Sequence, residues 1–354
     1  MLKRSSKLLI ILTCLLLTSV PVWAETLELS LAEAFALSLA NNLSFRLQRI
    51  DWQAARADLE RAEIVGDSEM LKEASEAWEK ANQLYLDEKA SLYSSVRNSY
   101  YQLLEKETSV ANVLKAKERA ENQLAVDKKK FEAGLLSTLD IQRSENSLFE
   151  AEYRYEKELI GLETERMKFN ELLGLPLDTQ IVLTERMLLE FVPFELDLAA
   201  CVELAFSVDG GIAAAKERLA KAKEAVSAAR SPFSPRVELE RALAEEEKAE
   251  IALRQAEQNL YFKIRSSFYS LLDQAHNLEA LEQQIELERK TLQAEEAKYA
   301  AGVLSNAQIV SQQEKLADLE RSYSSSLLSY TLARLDLLRT IGLAEEPWEA
   351  AADD

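Results

Sequence analysis

Acid–base or nucleophilic chemistry in this chain would have to run through one imidazole, because His276 is the only histidine among 354 residues. A Ser-His or Cys-His arrangement would need it as the base. It stands between Ala275 and Asn277 in a stretch with helical spacing, where a surface position explains it without a site. Of the two cysteines, Cys14 falls within an N-terminal leader, so Cys201 is left with no disulfide partner. One histidine and one cysteine cannot assemble a thiolate–imidazole metal centre. No Gly-rich phosphate loop follows a strand. Runs such as Glu245-Glu246-Glu247 offer general acids by type, but without a pocket-forming pattern they read as a solvated helix face. Tyr100, Tyr101, Phe268 and Tyr269 lie at helical spacing on seams, where core packing accounts for them. The expectation is a protein that is not an enzyme and holds no cofactor or metal.

One apolar feature does not reduce to packing in the same way. The segment Lys130 to Ser137, with Gly134, Leu135, Leu136 and Ser137 at its end, recurs as Lys298 to Ser305, ending in Gly302, Val303, Leu304 and Ser305. In both copies a glycine is followed by two adjacent apolar residues, at a place where the chain must reverse between helices. Apolar groups held at an exposed turn suggest a docking surface; the other reading is a tip that packs on its neighbour.

The elements that would carry these turns are long helices. Only 8 Gly and 6 Pro interrupt the chain, which leaves room for uninterrupted helical runs. Gly302 follows Gly134 at an offset of 168 residues. The same offset carries Tyr101-Gln102-Leu103-Leu104 onto Tyr269-Ser270-Leu271-Leu272, and Gly174-Leu175 onto Gly342-Leu343. It is also a whole number of heptads. Upstream of the turns, Val96, Leu103, Val110, Leu124 and Phe131 match Ile264, Leu271, Leu278, Leu292 and Tyr299 at seven-residue spacing. Downstream, Ile141, Leu148, Tyr155, Leu162 and Phe169 match Ile309, Leu316, Tyr323, Tyr330 and Leu337. Lys117 breaks the series where Ile285 keeps it. A sustained heptad means helices that supercoil with knobs in holes.

Each copy opens with a shorter helix, Leu29 to Ala34 resembling Leu196 to Cys201. Breaks follow at Gly66-Asp67-Ser68 and at Ser231 to Pro235. Asp67 or Ser68 can cap the next helix, and Pro suits a first turn. The run from Glu69 to Phe131, matched by the run from Val237 to Tyr299, would span about 95 Å as helix. The predicted fold is all-α, two tandem repeats of long antiparallel coiled-coil hairpins. Residues 25–178 form the first repeat, 179–343 the second, and 344–354 an acidic tail.

The leader occupies residues 1–24. Lys3, Arg4 and Lys7 precede the apolar run Leu8 to Leu17, and Val22-Trp23-Ala24 supplies a cleavage site. An uncleaved anchor is the alternative, for which the run is short. Loss of the leader takes the net charge from −19 to −22, which argues against nucleic acid or anionic lipid as the main partner.

The entry segment Leu29 to Asn42, the doubled tip motif, the return helices and the ending Leu172-Leu173-Gly174-Leu175-Pro176 together resemble the TolC-like outer-membrane efflux family. The resemblance covers essentially the whole chain beyond the leader. It implies a homotrimer whose helices close into a tunnel. The tips would meet a periplasmic adaptor linked to an inner-membrane pump, in the envelope at the outer membrane. It further implies an entrance latch, a hydrogen bond between Tyr299 and Asp140 of neighbouring hairpins. An Arg and two acidic residues found beyond the second tip glycine in the best-known member are replaced here by Leu304, Gln308 and Ser311. The family places membrane-spanning strands between the first and second helices of each repeat. Ile64 to Ser68 and Ser231 to Pro235 are too short for even one, since a spanning strand needs about 9–11 residues. A short form without barrel strands follows. It would dock on a separate outer-membrane component or serve where none is needed. A coiled-coil spacer of the envelope that conducts nothing is the alternative from another class.

Overall fold

In a computed structural model, described over residues 27–185, 190–231 and 233–343, eight helices fall into two sets of four in the same order, and two short strands flank the first set. The leader and the acidic tail lie outside the described residues. The first repeat holds β1 (Leu27–Leu29), α1 (Leu31–Asn41), α2 (Leu43–Val65), α3 (Ser68–Glu132), α4 (Thr138–Leu173) and β2 (Ile181–Leu183). The second holds α5 (Leu198–Val208), α6 (Gly210–Ala229), α7 (Arg236–Ala300) and α8 (Asn306–Thr340).

The helix boundaries follow from local chemistry. Asp67 caps α3, its carboxylate accepting from the backbone N–H of Glu69 at 2.9 Å and Met70 at 3.1 Å. Pro235 precedes α7 at the equivalent place, where its missing N–H costs nothing. The two long helices have 65 residues each, so each rod is about 97 Å long. Shorter helices flank each rod: α2 and α4 pack on α3, α6 and α8 on α7. The layers join because α8 packs on both α3 and α4.

Both rods end alike. Gly134 and Gly302 take left-handed φ values of 73° and 75°. Leu135 N–H reaches back to the Lys130 carbonyl at 2.9 Å, and Val303 N–H to that of Lys298 at 3.0 Å. This backbone pattern releases the chain from a helix, and only glycine adopts it without strain. The repeats close alike too. A side chain on Gly174 would meet the Asn41 backbone carbonyl at 2.6 Å, and one on Gly342 would meet Val208 at 2.9 Å. Asn41 and Val208 end the matching helices α1 and α5.

Two details depart from the all-helical outline. β1 and β2 pair in parallel, Leu27 opposite Ile181 and Leu29 opposite Leu183, and three-residue strands are too short to show periodicity. Because Ile181 and Leu183 pack with Leu29, Phe35, Tyr100 and Phe169, the core of the first repeat extends beyond residue 178. Tyr100 donates to the Leu29 carbonyl at 3.0 Å and ties the strands to the rod. Among the described residues no strand lies between α2 and α3 or between α6 and α7, and no single helix is long and apolar enough to cross a membrane. Among the described residues only the pair α5 and α6, bent by 56°, reaches that length and composition together.

Candidate functional site

Near the tips, polar side chains from all four hairpin helices meet in a buried cluster. Asp127 on α3 falls three residues after the seam residue Leu124, and Ser144 on α4 three after Ile141, both on the inward faces of their helices. The fully buried Asp127 carboxylate accepts from Gln123 Nε2 at 2.9 Å, from the Ser144 hydroxyl, from the Tyr299 hydroxyl on α7 and from Asn306 Nδ2 on α8. Asn306 Nδ2 also donates to Ser144 Oγ at 2.8 Å. Lys130 covers the outer side, its ammonium 3.4 Å from the Tyr299 ring centroid and donating to the Tyr299 carbonyl. A buried carboxylate needs such donors, and here three of them come from side chains on different helices. Burial first, and then the bond to Asp127, push the Tyr299 hydroxyl pKa well above its ordinary value of 10.0. The result is a clasp binding the first hairpin to the second inside one protomer.

Within one chain the Tyr299 hydroxyl does not bond Asp140, the partner the family resemblance implies. Asp140 sits at the third position of α4, where its carboxylate accepts from the Ser137 hydroxyl at 2.6 Å and the Ser137 N–H at 3.1 Å. These bonds, the hydroxyl first, hold its pKa below the usual value. The Tyr299 hydroxyl goes to Asp127 on α3, the carboxylate it meets inside the protomer. Sequence reasoning missed Asp127, Ser144, Gln123 and Asn306. The available signal was an acidic residue on a heptad seam position.

The tips themselves project. Leu135 is 73% exposed and Val303 79%, while Leu136 and Leu304 are half-buried and Ser137 and Ser305 cap the return helices. Exposed Gly134 and Gly302 complete the two turns. Elsewhere, Cys201 is buried, and His276 lies exposed beside an apolar groove with Phe194, Phe268 and Tyr330. Tyr100 and Tyr101 are buried as expected and Phe268 partly so. Tyr269 is half exposed, contrary to its assignment to a core seam, because among the described residues α7 packs chiefly on α5, α6 and α8. No group of three or more His, Cys, Asp or Glu suited to a metal ion occurs among the described residues.

The fold has close counterparts among solved structures. The CmeC outer membrane channel of Campylobacter jejuni matches with a TM-score of 0.65 at 12% identity, over 91% of this chain and 88% of that one. The VceC outer membrane protein of Vibrio cholerae matches with a TM-score of 0.64 at 12% identity, over 89% and 97%. The open-state MtrE outer membrane channel of Neisseria gonorrhoeae gives 0.51 at 15%, over 90% of each chain. The fold is that of the TolC-like channels. No family model matches the chain, and no curated protein matches it by sequence. The TolC-like fold therefore rests on backbone geometry: the tandem rods, the paired tips and the all-helical layer.

Proposed function

We propose that this chain is an exported, non-enzymatic component of an efflux or secretion duct. Copies of it, three by analogy with the family, wrap their rods around a water-filled passage in the periplasm at the outer membrane. The exposed apolar tips, Gly134 to Ser137 and Gly302 to Ser305, dock a periplasmic adaptor of an inner-membrane pump. The Tyr299–Asp127 clasp restrains the passage near its entrance, with Asp140 shaping the adjoining tip. The observation that carries this reading is the pair of equal 65-residue rods, joined into one layer and ending in matched tips, on the fold of outer-membrane channels.

Mass measurement and particle images of the mature protein test it. A hollow oligomer is the expected result. A monomer, or a filled dimer with no lumen, would instead favour the non-conducting spacer. Charging both tips, Leu135→Asp with Val303→Asp, is expected to leave mass and helix content unchanged while abolishing efflux by cells. Unchanged efflux would remove the docking assignment.

A further inference from the structure

Apolar exposure in this molecule peaks at both ends of the rods, and the tips account for only one of them. Asp127 and Tyr299 meet near the tips, and both rods run from there to their N-terminal ends, about 90 Å away. The turns at that far end, α2 to α3 and α6 to α7, carry the two most exposed large apolar side chains among the described residues. Ile64 is 86% exposed and Phe233 95%, and Val65 and Val237 beside them are exposed too.

Packing stops short of these residues. Ala62 and Val226 are the last buried positions of α2 and α6, and the apolar groups follow where the chain has already left its neighbour. Turn chemistry does not call for them either. Gly66 and Asp67 make the first turn and cap α3, and Pro235 opens α7. A side chain added at Gly66 would meet nothing within 4 Å, so that turn stands clear of the rest of the chain. Apolar groups in water that serve neither packing nor turning mark a contact surface.

We propose that these two turns seat the protein on a lipid surface, with Ile64, Val65, Phe233 and Val237 entering the acyl boundary and the flanking charges staying among the headgroups. Shape favours lipid over a protein socket. Each turn is a narrow projection, and a projection entering a fluid phase needs no matching cavity. Charge narrows the lipid. Exposed Arg61, Arg230 and Arg236 stand within one helical turn of the apolar residues, with Glu63, Asp67 and Glu238 interleaved among them. That mixture complements a zwitterionic headgroup, which offers a phosphate and an ammonium together; an anionic surface would repel the carboxylates. The contact is peripheral. Two turns hold too few apolar side chains to anchor a lone chain firmly, and a ring of copies multiplies them. The proposal rests on the duct reading for that multiplicity alone.

Flotation of the assembled mature protein with phosphatidylcholine vesicles tests the seat. The protein is expected to rise with the vesicles. Ile64→Asp combined with Phe233→Asp is expected to lower the floating fraction about tenfold, with mass and helix content unchanged. Leu135→Asp with Val303→Asp, at the tips, is expected to float as the unaltered protein does. An assembled oligomer that does not float, or one that loses flotation through the tips and not the far end, would overturn the lipid seat and leave the duct reading standing. Flotation confined to phosphatidylglycerol vesicles would overturn it too. A native mass that doubles without lipid, and is halved by Ile64→Asp with Phe233→Asp, would give this end to a second copy instead. A monomer by mass that still floats would overturn the duct reading and keep the seat.

Discussion

The first hairpin, α3 with α4, and the second, α7 with α8, match in rod length and turn on equivalent glycines, yet they bury their seams differently. In the second, Ile264, Leu271, Leu278, Ile285, Leu292 and Tyr299 are all buried along one line. In the first, Val110, Leu148 and Tyr155 are only half-buried, and Lys117 replaces the seam residue, its ammonium 5.7 Å from the Tyr155 ring centroid. The difference lies in the number of partners. Among the hairpin helices α7 packs chiefly against its return helix, and one apolar stripe suffices along most of its length. α3 lies between α4 and α8, so it buries a second face that includes Arg97, Tyr101 and Asp127. A helix with two partners must satisfy polar groups that a helix with one can leave in water.

Exchanging residues at equivalent positions breaks or sharpens that contrast. The largest effect is expected from Asp127→Ala, which strands the Tyr299 hydroxyl and the Asn306 amide in a buried site at a cost of about 3 kcal/mol. Glu295→Ala, its image, is expected to stay within about 0.5 kcal/mol in dilute unassembled protein. Urea midpoints read both, and equal losses would erase the distinction between the hairpins. Tyr101→Ala comes next, at about 3 kcal/mol, against less than about 1 kcal/mol for Tyr269→Ala in the same dilute state. Similar midpoint shifts would mean that Tyr269 is covered within the protomer.

Glycines supply a control in which the repeats should agree. Gly174→Ala and Gly342→Ala are each expected to cost about 2 kcal/mol or more, since strain and collision add. Gly134→Ala, with open space around it, should cost about 1 kcal/mol from its left-handed backbone alone. Thermal melts of the three variants would rank them.

The smallest effect is one of pH. Because the folded chain raises the Tyr299 pKa, the neutral phenol stabilises the fold fully below pH 10.0, the ordinary value, and that contribution is lost as pH climbs through the folded pKa. Stability of the protein minus that of Tyr299→Phe should therefore be flat up to about pH 10 and then fall. A difference that is flat throughout the alkaline range would place the hydroxyl outside the clasp.

Much of the architecture was legible before folding because it is periodic and local. Heptads, Asp67 as a cap and the turn glycines each depend on residues within a turn or two of one another. Repetition then doubled every signal, and the family resemblance drawn from the tip motif agrees with the fold. Less was legible at the clasp. Asp140 and Tyr299 were paired from a motif, but a motif cannot show that Ser137 already occupies the Asp140 carboxylate. Asp127 and Tyr299 stand 172 residues apart, and nothing in either neighbourhood names the other.

The chain by itself determined where its helices run, where they turn, and that the unit is used twice. Those outcomes follow from backbone hydrogen bonding and apolar spacing within single segments, which the order of residues states directly. Only the tertiary structure decided which seam residues are covered, which carboxylate holds Tyr299, and that β2 closes the core of the first repeat. Each of these depends on how two distant helices approach. A residue such as Tyr269 carries the same chemistry as Tyr101 until a neighbouring helix arrives to exclude water from one and not from the other.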